Sequence, residues 1–129
     1  MLFRSISAIR NADLDGNAAT TAAAGWTPLL VTPNHPEYPA AHGCVTSAEA
    51  EVLRDVLKTN DIQIDMAGAT AGGTTLTTSR HYATVDDLEK EIVDARVYAG
   101  LHYRFSGEAG VALGKQVAQW DLEHGFQAK

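Results

Sequence analysis

Apolar residues recur at helical spacing in three stretches of the chain. In the first, Val52, Leu53, Val56 and Leu57 share one helical face. They follow Thr46 and Glu49, whose i, i+3 pairing has the form of a capping box, so a helix is expected from Thr46 to a stop near Asn60. In the second, Leu88, Ile92, Ala95 and Ala99 lie on one face behind a second capping signal, Thr84 with Asp87, and Gly100 interrupts the pattern. The third is expected to begin near Ser106, with Glu108 in the first turn where a negative charge suits the helix dipole. Leu113, Val117 and Trp120 make its apolar face, and it frays by Gly125.

The segments between these helices have different periods. Over residues 61–83, Ile62 and Ile64 alternate with Gln63 and Asp65, small residues and glycines follow from Ala67 to Gly73, and Thr74 to Thr78 is β-prone, so a small hairpin or irregular insertion is expected. Its glycines lack the Gly-Lys-Ser/Thr ending of a phosphate loop and are read as a turn. All four prolines (Pro28, Pro33, Pro36, Pro39) fall between Trp26 and Pro39. They remove amide donors and fix φ, which makes this stretch a stiff, extended surface loop of the kind that carries sites. Ala18–Gly25 reads as either a short helix or a loose connection. Asp13-Leu14-Asp15-Gly16-Asn17 has a calcium-loop look but lacks the third acidic position and a closing glutamate, so a turn is expected. The fold class is mainly α: three or four helices, a proline-rich loop and a small hairpin.

Composition narrows the function classes. A chain of 129 residues is one domain or part of one, long enough to bury roughly two thirds of its unfolded surface. A net charge of -6 and the lack of a basic stripe argue against nucleic acid as a partner. No apolar run approaches the ~18 residues of a membrane span. Met1-Leu2-Phe3-Arg4 lacks a secretory signal, which leaves the cytoplasm as the default location. Cys44 is the sole cysteine, so no internal disulfide forms. A small buried thiol is favoured for it over a Cys/His nucleophile with His42.

The chemistry concentrates in two short elements. His35-Pro36-Glu37-Tyr38-Pro39-Ala40-Ala41-His42 puts a histidine just ahead of the first long helix, whose free amides attract anions; Ala41 and Gly43 flank it. Arg96-Val97-Tyr98-Ala99-Gly100-Leu101-His102 sets an arginine six residues before a histidine. On a straight helix those two side chains would diverge by about 120°, but Gly100 permits the left-handed turn that lets both face one site. Two histidines and a guanidinium can hold a tetrahedral oxyanion and do chemistry on it. His35 is expected to be a solvated loop residue, and His81 and His124 to lack convergent partners. With no i, i+4 histidine pair and one cysteine, structural zinc is not expected.

Pro39-Ala40-Ala41-His42 before a helix, followed by Ala95-Arg96-Val97-Tyr98-Ala99-Gly100-Leu101-His102-Tyr103-Arg104-Phe105, resembles the superfamily of vanadium-dependent haloperoxidases and type-2 phosphatidic acid phosphatases, most closely its soluble haloperoxidase-like branch. The resemblance implies a helical bundle of the acid phosphatase/vanadium haloperoxidase type, here its C-terminal part, truncated at the N-terminus. His102 would be the nucleophile toward phosphorus or the axial ligand of vanadium, and His42 the general acid–base. Arg96 and Arg4 would clamp the oxyanion beside the Ala41 and Gly43 amides. Vanadate is the implied cofactor if the chain is a haloperoxidase, and none if it is a phosphatase. The implied substrates are small and anionic: a phosphate ester, or halide with peroxide. Three departures stand out. Ser5 follows Arg4 where the family has proline, no lysine lies upstream of Arg4, and Ala40-Ala41 replaces the usual Ser-Gly. Losing that serine's hydrogen bond to a charged group costs about 1.5–3 kcal/mol. These departures imply the alternative of a catalytically inactive remnant serving as a structural or anion-binding module. The helices that would precede Arg4 in the family would leave apolar surface uncovered here, which implies a homodimer or a piece of a larger protein.

Overall fold

The computed structural model describes residues 4–68 and 78–125. A short helix α1 (Ser5–Arg10) and a 3-10 turn (Ala12–Leu14) lead into a long irregular segment. Then come α2 (Ala41–Leu57), the antiparallel pair β1 (Asp61–Ala67) and β2 (Ser79–Thr84), α3 (Val85–Tyr98) and α4 (Arg104–His124). The mainly α fold and the hairpin agree with the sequence reading. Ala18–Gly25 is the loose connection. Of the turn read over Ala67–Gly73 and the threonine-rich run Thr74–Thr78, residues 69–77 lie outside the described residues. No helix among the described residues is long and apolar enough to cross a membrane.

Helix α2 begins five residues earlier than the sequence pattern predicts. Thr46 is inside the helix, and Ala40 is its N-cap. The last proline, Pro39, closes the extended loop, and the Ala40 amide is anchored on the Ser106 carbonyl of α4 at 2.9 Å, so coiling starts at Ala41. The Thr84–Asp87 capping box is formed as expected, with the Asp87 amide donating to Thr84 Oγ1 at 3.1 Å and the Thr84 amide donating to Asp87 Oδ2 at 3.0 Å.

The buried faces are not the ones the large apolar residues mark. On α4, Leu113, Val117 and Trp120 are 41%, 47% and 60% exposed, while Ser106, Gly107, Gly110, Gly114 and Ala118 are buried. The reason is how closely α2 and α4 approach. A Cβ on Gly110 would stand 2.3 Å from the Ala40 carbonyl oxygen, and one on Gly114 would stand 2.1 Å from that of Cys44. Backbones this near leave no room for side chains, so the seam is built from small residues. Ser47 completes it by donating to the Val111 carbonyl at 3.0 Å. Cys44, a free cysteine, is half-buried, and its backbone forms part of this seam.

On α3 the buried stripe is Val85, Glu89 and Val93; Leu88 and Ile92 are only half-buried, and Ala95 is exposed. Glu89 is tolerated inside because α2 and α4 each bring it a cation: Lys115 Nζ lies 2.8 Å away, and Arg54 Nη2 3.3 Å. Arg54 also pairs with Glu51 and Asp86. This cluster joins the three long helices at the end of the bundle away from the proline loop.

Candidate functional site

The proline loop is held in place from both ends. The Arg4 guanidinium donates to the Pro33 carbonyl at 2.6 Å and to the His35 carbonyl at 2.8 Å. The Glu37 carboxylate accepts from the Tyr103 amide at 2.9 Å and from Ser106 Oγ at 2.8 Å, locking the loop to the start of α4. Trp26 covers the end of α3. Its carbonyl accepts from Arg10 Nε at 2.8 Å, and its ring lies so close to Gly100 that a Cβ there would meet it at 2.6 Å.

Gly100 has φ +75°, so the chain reverses as the spacing argument requires, and the amides of Leu101 and His102 both fold back onto the Arg96 carbonyl, at 3.1 and 3.4 Å. Leu101 anchors the turn in the core, and His102 follows it inward at 3% exposure. His102 Nδ1 donates to the Glu37 carbonyl at 2.8 Å. A carbonyl only accepts, so Nδ1 carries the proton and Nε2 is left with its lone pair in the neutral ring. Nε2 is buried and has no hydrogen-bond partner among the described residues.

Arg96, on the last turn of α3, has Nε and Nη2 buried without partners among the described residues, and burial pushes its guanidinium below the usual pKa. His42 occupies the first turn of α2. Partial burial first, then the charge of Arg96 and the neighbouring rings of His35 and His102, hold its pKa below the ordinary histidine value, so it is a neutral proton acceptor at neutral pH. The first intrahelical bond of α2 runs from the Cys44 amide to the Ala40 carbonyl. The amides of Ala41, His42 and Gly43 therefore have no acceptor within the helix. Gly43 also serves packing, since a Cβ there would lie 2.7 Å from the Gly107 carbonyl oxygen. A cavity of about 250 Å3 lined by Ala41, His42, Val45 and Thr46 opens beside the first turn.

His35 corrects the expectation of a solvated loop residue. It is half-buried and stacks on His102, with ring centroids 5.4 Å apart and planes 14° from parallel, and its ring centroid lies 5.9 Å from that of His42. Arg4 draws its backbone inward, and its Nδ1 donates to the Pro36 carbonyl at 3.0 Å, which again leaves a buried, unpartnered Nε2. The structure thus brings His35, His42, His102 and Arg96 together. Arg4 stands behind the loop, two of its donors committed to loop carbonyls. Glu37, also not anticipated, orients His102 through its carbonyl. The other histidines are elsewhere: His81 pairs with Asp65 at 2.9 Å on the hairpin, and His124 stacks on Trp120. The acidic turn is confirmed as a turn, because Asp13 and Asp15 accept from the loop's own amides of Ala22 and Asn17.

The model of the VCPO second helical-bundle domain family matches residues 3–128. The chain belongs to that family. Membership places it in the vanadium haloperoxidase superfamily, as the motif resemblance implies. Among solved structures, a bacterial vanadium-dependent chloroperoxidase in its holo form is 24% identical with a TM-score of 0.72, over 93% of this chain and 29% of that one. The first bacterial vanadium-dependent iodoperoxidase to be solved is 30% identical with a TM-score of 0.63, over 76% of this chain and 23% of that one. The VCPO-type domain described here therefore spans less than a third of the length of these relatives. Comparison with curated proteins finds no significant match.

Proposed function

We propose that this VCPO-type domain carries the oxyanion site of a vanadium-dependent haloperoxidase, with vanadate held at His102 and halide oxidised by peroxide. The observation that carries this reading is that two buried groups on either side of the Gly100 turn find no partner among the described residues, the lone pair on His102 Nε2 and the Nε and Nη2 donors of Arg96, and that the charge of Arg96 and the ring of His102 both act on His42. An electron-pair donor and a guanidinium with free donors, both acting on one histidine, suit a tetrahedral oxyanion, which takes a nitrogen ligand at its centre and hydrogen bonds at its oxygens. Vanadate, when bound, supplies the activation of peroxide toward halide. His102 would hold it through Nε2 and Arg96 would neutralise its oxygens, with the Ala41 and Gly43 amides as further donors and Arg4 using donors not spent on the loop. His42, kept neutral, would accept and return the proton.

The vanadium dependence named for the similar structures favours halide oxidation over phosphomonoester hydrolysis, which the same geometry also fits. Ala40 and Ala41, where the family usually has Ser-Gly, favour the second reading of an anion-binding module without turnover. Titration of the chain with orthovanadate beside a His102→Ala variant tests the proposal. Binding in the wild type that vanishes in the variant supports the site, and bromide or iodide oxidation with peroxide then separates the enzyme from the module. A wild-type chain that binds no vanadate overturns the proposal.

A further inference from the structure

The same corner of the fold holds a second kind of site. His35, His42 and His102 each offer a ring nitrogen, and these atoms all lie within 4.8 Å of one another. Two of the rings are set up as ligands are. His35 and His102 each commit Nδ1 to a backbone carbonyl, which directs the Nε2 lone pair into the cluster, where it finds no partner. Hydrogen bonding of the far nitrogen is how proteins fix the tautomer and orientation of metal-bound histidines. A carboxylate behind one of the rings raises its basicity, and Glu37 Oε1 lies 3.4 Å from His102 Nδ1.

We infer that His35, His42 and His102 form a three-histidine site for a divalent transition metal of the zinc type. Three imidazoles suit zinc, copper or nickel, and three nitrogens with an open fourth position are the donor set of reactive rather than structural zinc. Tetrahedral zinc–nitrogen bonds of about 2.0–2.1 Å set the nitrogens about 3.4 Å apart, so from a spacing of up to 4.8 Å they must close in, a movement that rotation of the His35 and His42 side chains supplies while the backbone anchors stay in place. Arg96 opposes a bare cation. Its unpartnered donors instead receive an anion at the fourth position, so the site takes metal and anion together.

Calorimetric titration of the vanadate-free chain with Zn2+ tests this, beside His35→Phe, Arg96→Gln and His81→Gln variants shown to be folded by circular dichroism. His35→Phe keeps a ring stacked on His102 and removes one donor. One zinc per chain is expected in the wild type and in His81→Gln. Affinity in His35→Phe should fall by at least about a hundredfold, beyond the 10–100-fold that loss of an outer-shell partner costs. Cobalt substitution should give the visible absorption of a low-coordinate nitrogen site in the wild type and His81→Gln, and not in His35→Phe. Arg96→Gln separates the two readings, since it should abolish vanadate binding and leave zinc bound. No stoichiometric zinc binding, or binding that is lost in His81→Gln and kept in His35→Phe, overturns the inference, whatever the outcome with vanadate.

Discussion

Glu37 connects fold and site, and replacing it has a calculable effect. Its side chain is 9% exposed and accepts two hydrogen bonds, from the Tyr103 amide and Ser106 Oγ. Glu37→Ala leaves both donors without a partner at the start of α4. Hydrogen bonds to a charged group contribute about 1.5–3 kcal/mol each, so the two together come to about 3 kcal/mol at the low end. Against a total of about 5–15 kcal/mol for a domain, that is a severe loss. At about 4 °C per kcal/mol for a chain of this size, the thermal midpoint should fall by about 12 °C. Glu37→Gln keeps the shape: the amide oxygen accepts from Tyr103 and the amide nitrogen donates to Ser106 Oγ, so most of the stability should return. Thermal and urea unfolding followed by circular dichroism measure both variants. Because the Glu37 carbonyl also orients His102, vanadate affinity should fall further in Glu37→Ala than in Glu37→Gln. An alanine variant within about 1 kcal/mol of wild type would refute the reasoning, since it would mean the loop is held by something other than this carboxylate.

Gly114→Ala should destabilise the domain by about 2 kcal/mol, because a clash with backbone puts the overpacking cost at the upper end, about 3 kcal/mol, against a helix-propensity gain of about 1 kcal/mol. Its Cβ would stand 2.1 Å from the Cys44 carbonyl oxygen, whereas one on Gly25 meets nothing within 4 Å, so Gly25→Ala is the neutral control and equal unfolding midpoints would exclude the close seam. The Asp87 carboxyl is held below its usual pKa, first by the Thr84 hydroxyl and then by the Thr84 amide. A depressed folded-state value means that its stabilisation is complete above the unfolded value near pH 3.9 and is lost as pH falls through the folded value. Asp87→Asn should therefore flatten the decline in stability below about pH 4, and acid titrations of the two proteins that run parallel there would exclude a role for the cap.

Helix positions were legible in the sequence; the faces they bury were not. The capping signal at Thr84, the glycine break at Gly100 and the third helix are all found in place. Hydrophobic periodicity assumes that large residues fill the space between helices. Here α2 and α4 meet through Gly43, Ser47, Ala50, Gly107, Gly110, Gly114 and Ala118, all buried, a seam that carries almost no hydropathy signal. The large residues consequently fall beside it. Val52, Leu53 and Val117, on the apolar faces that periodicity marks, help line an open groove of about 580 Å3 together with Leu122. The early start of α2 has the same origin, because Gly110 receives the Ala40 carbonyl at a distance only a bare backbone permits. The better signal was the spacing Gly107-x-x-Gly110-x-x-x-Gly114, which puts three small residues on one helix face.

The site was legible where chemistry and backbone punctuation coincide in a short stretch, as at Arg96, Gly100 and His102. It was not legible where it depends on a contact between distant segments. His102 Nδ1 meets the Glu37 carbonyl across 65 residues of chain, and no local pattern encodes that meeting. One hint was available: Glu37 is a carboxylate between Pro36 and Pro39 in a loop without lysine or arginine, so its partners had to come from elsewhere in the fold. The consequence reaches beyond His102. The carbonyls of Pro36 and Glu37 take the Nδ1 protons of His35 and His102 respectively, so two consecutive peptide units set both tautomers. Arg4 holds this loop through the carbonyls of Pro33 and His35, and Glu37 holds it through α4. Arg4 and Glu37 thus control the same two lone pairs from opposite sides without touching either. A displacement of the loop would withdraw both nitrogens together, so loss of either anchor should reduce oxyanion and metal binding in parallel, where loss of Arg96 divides them.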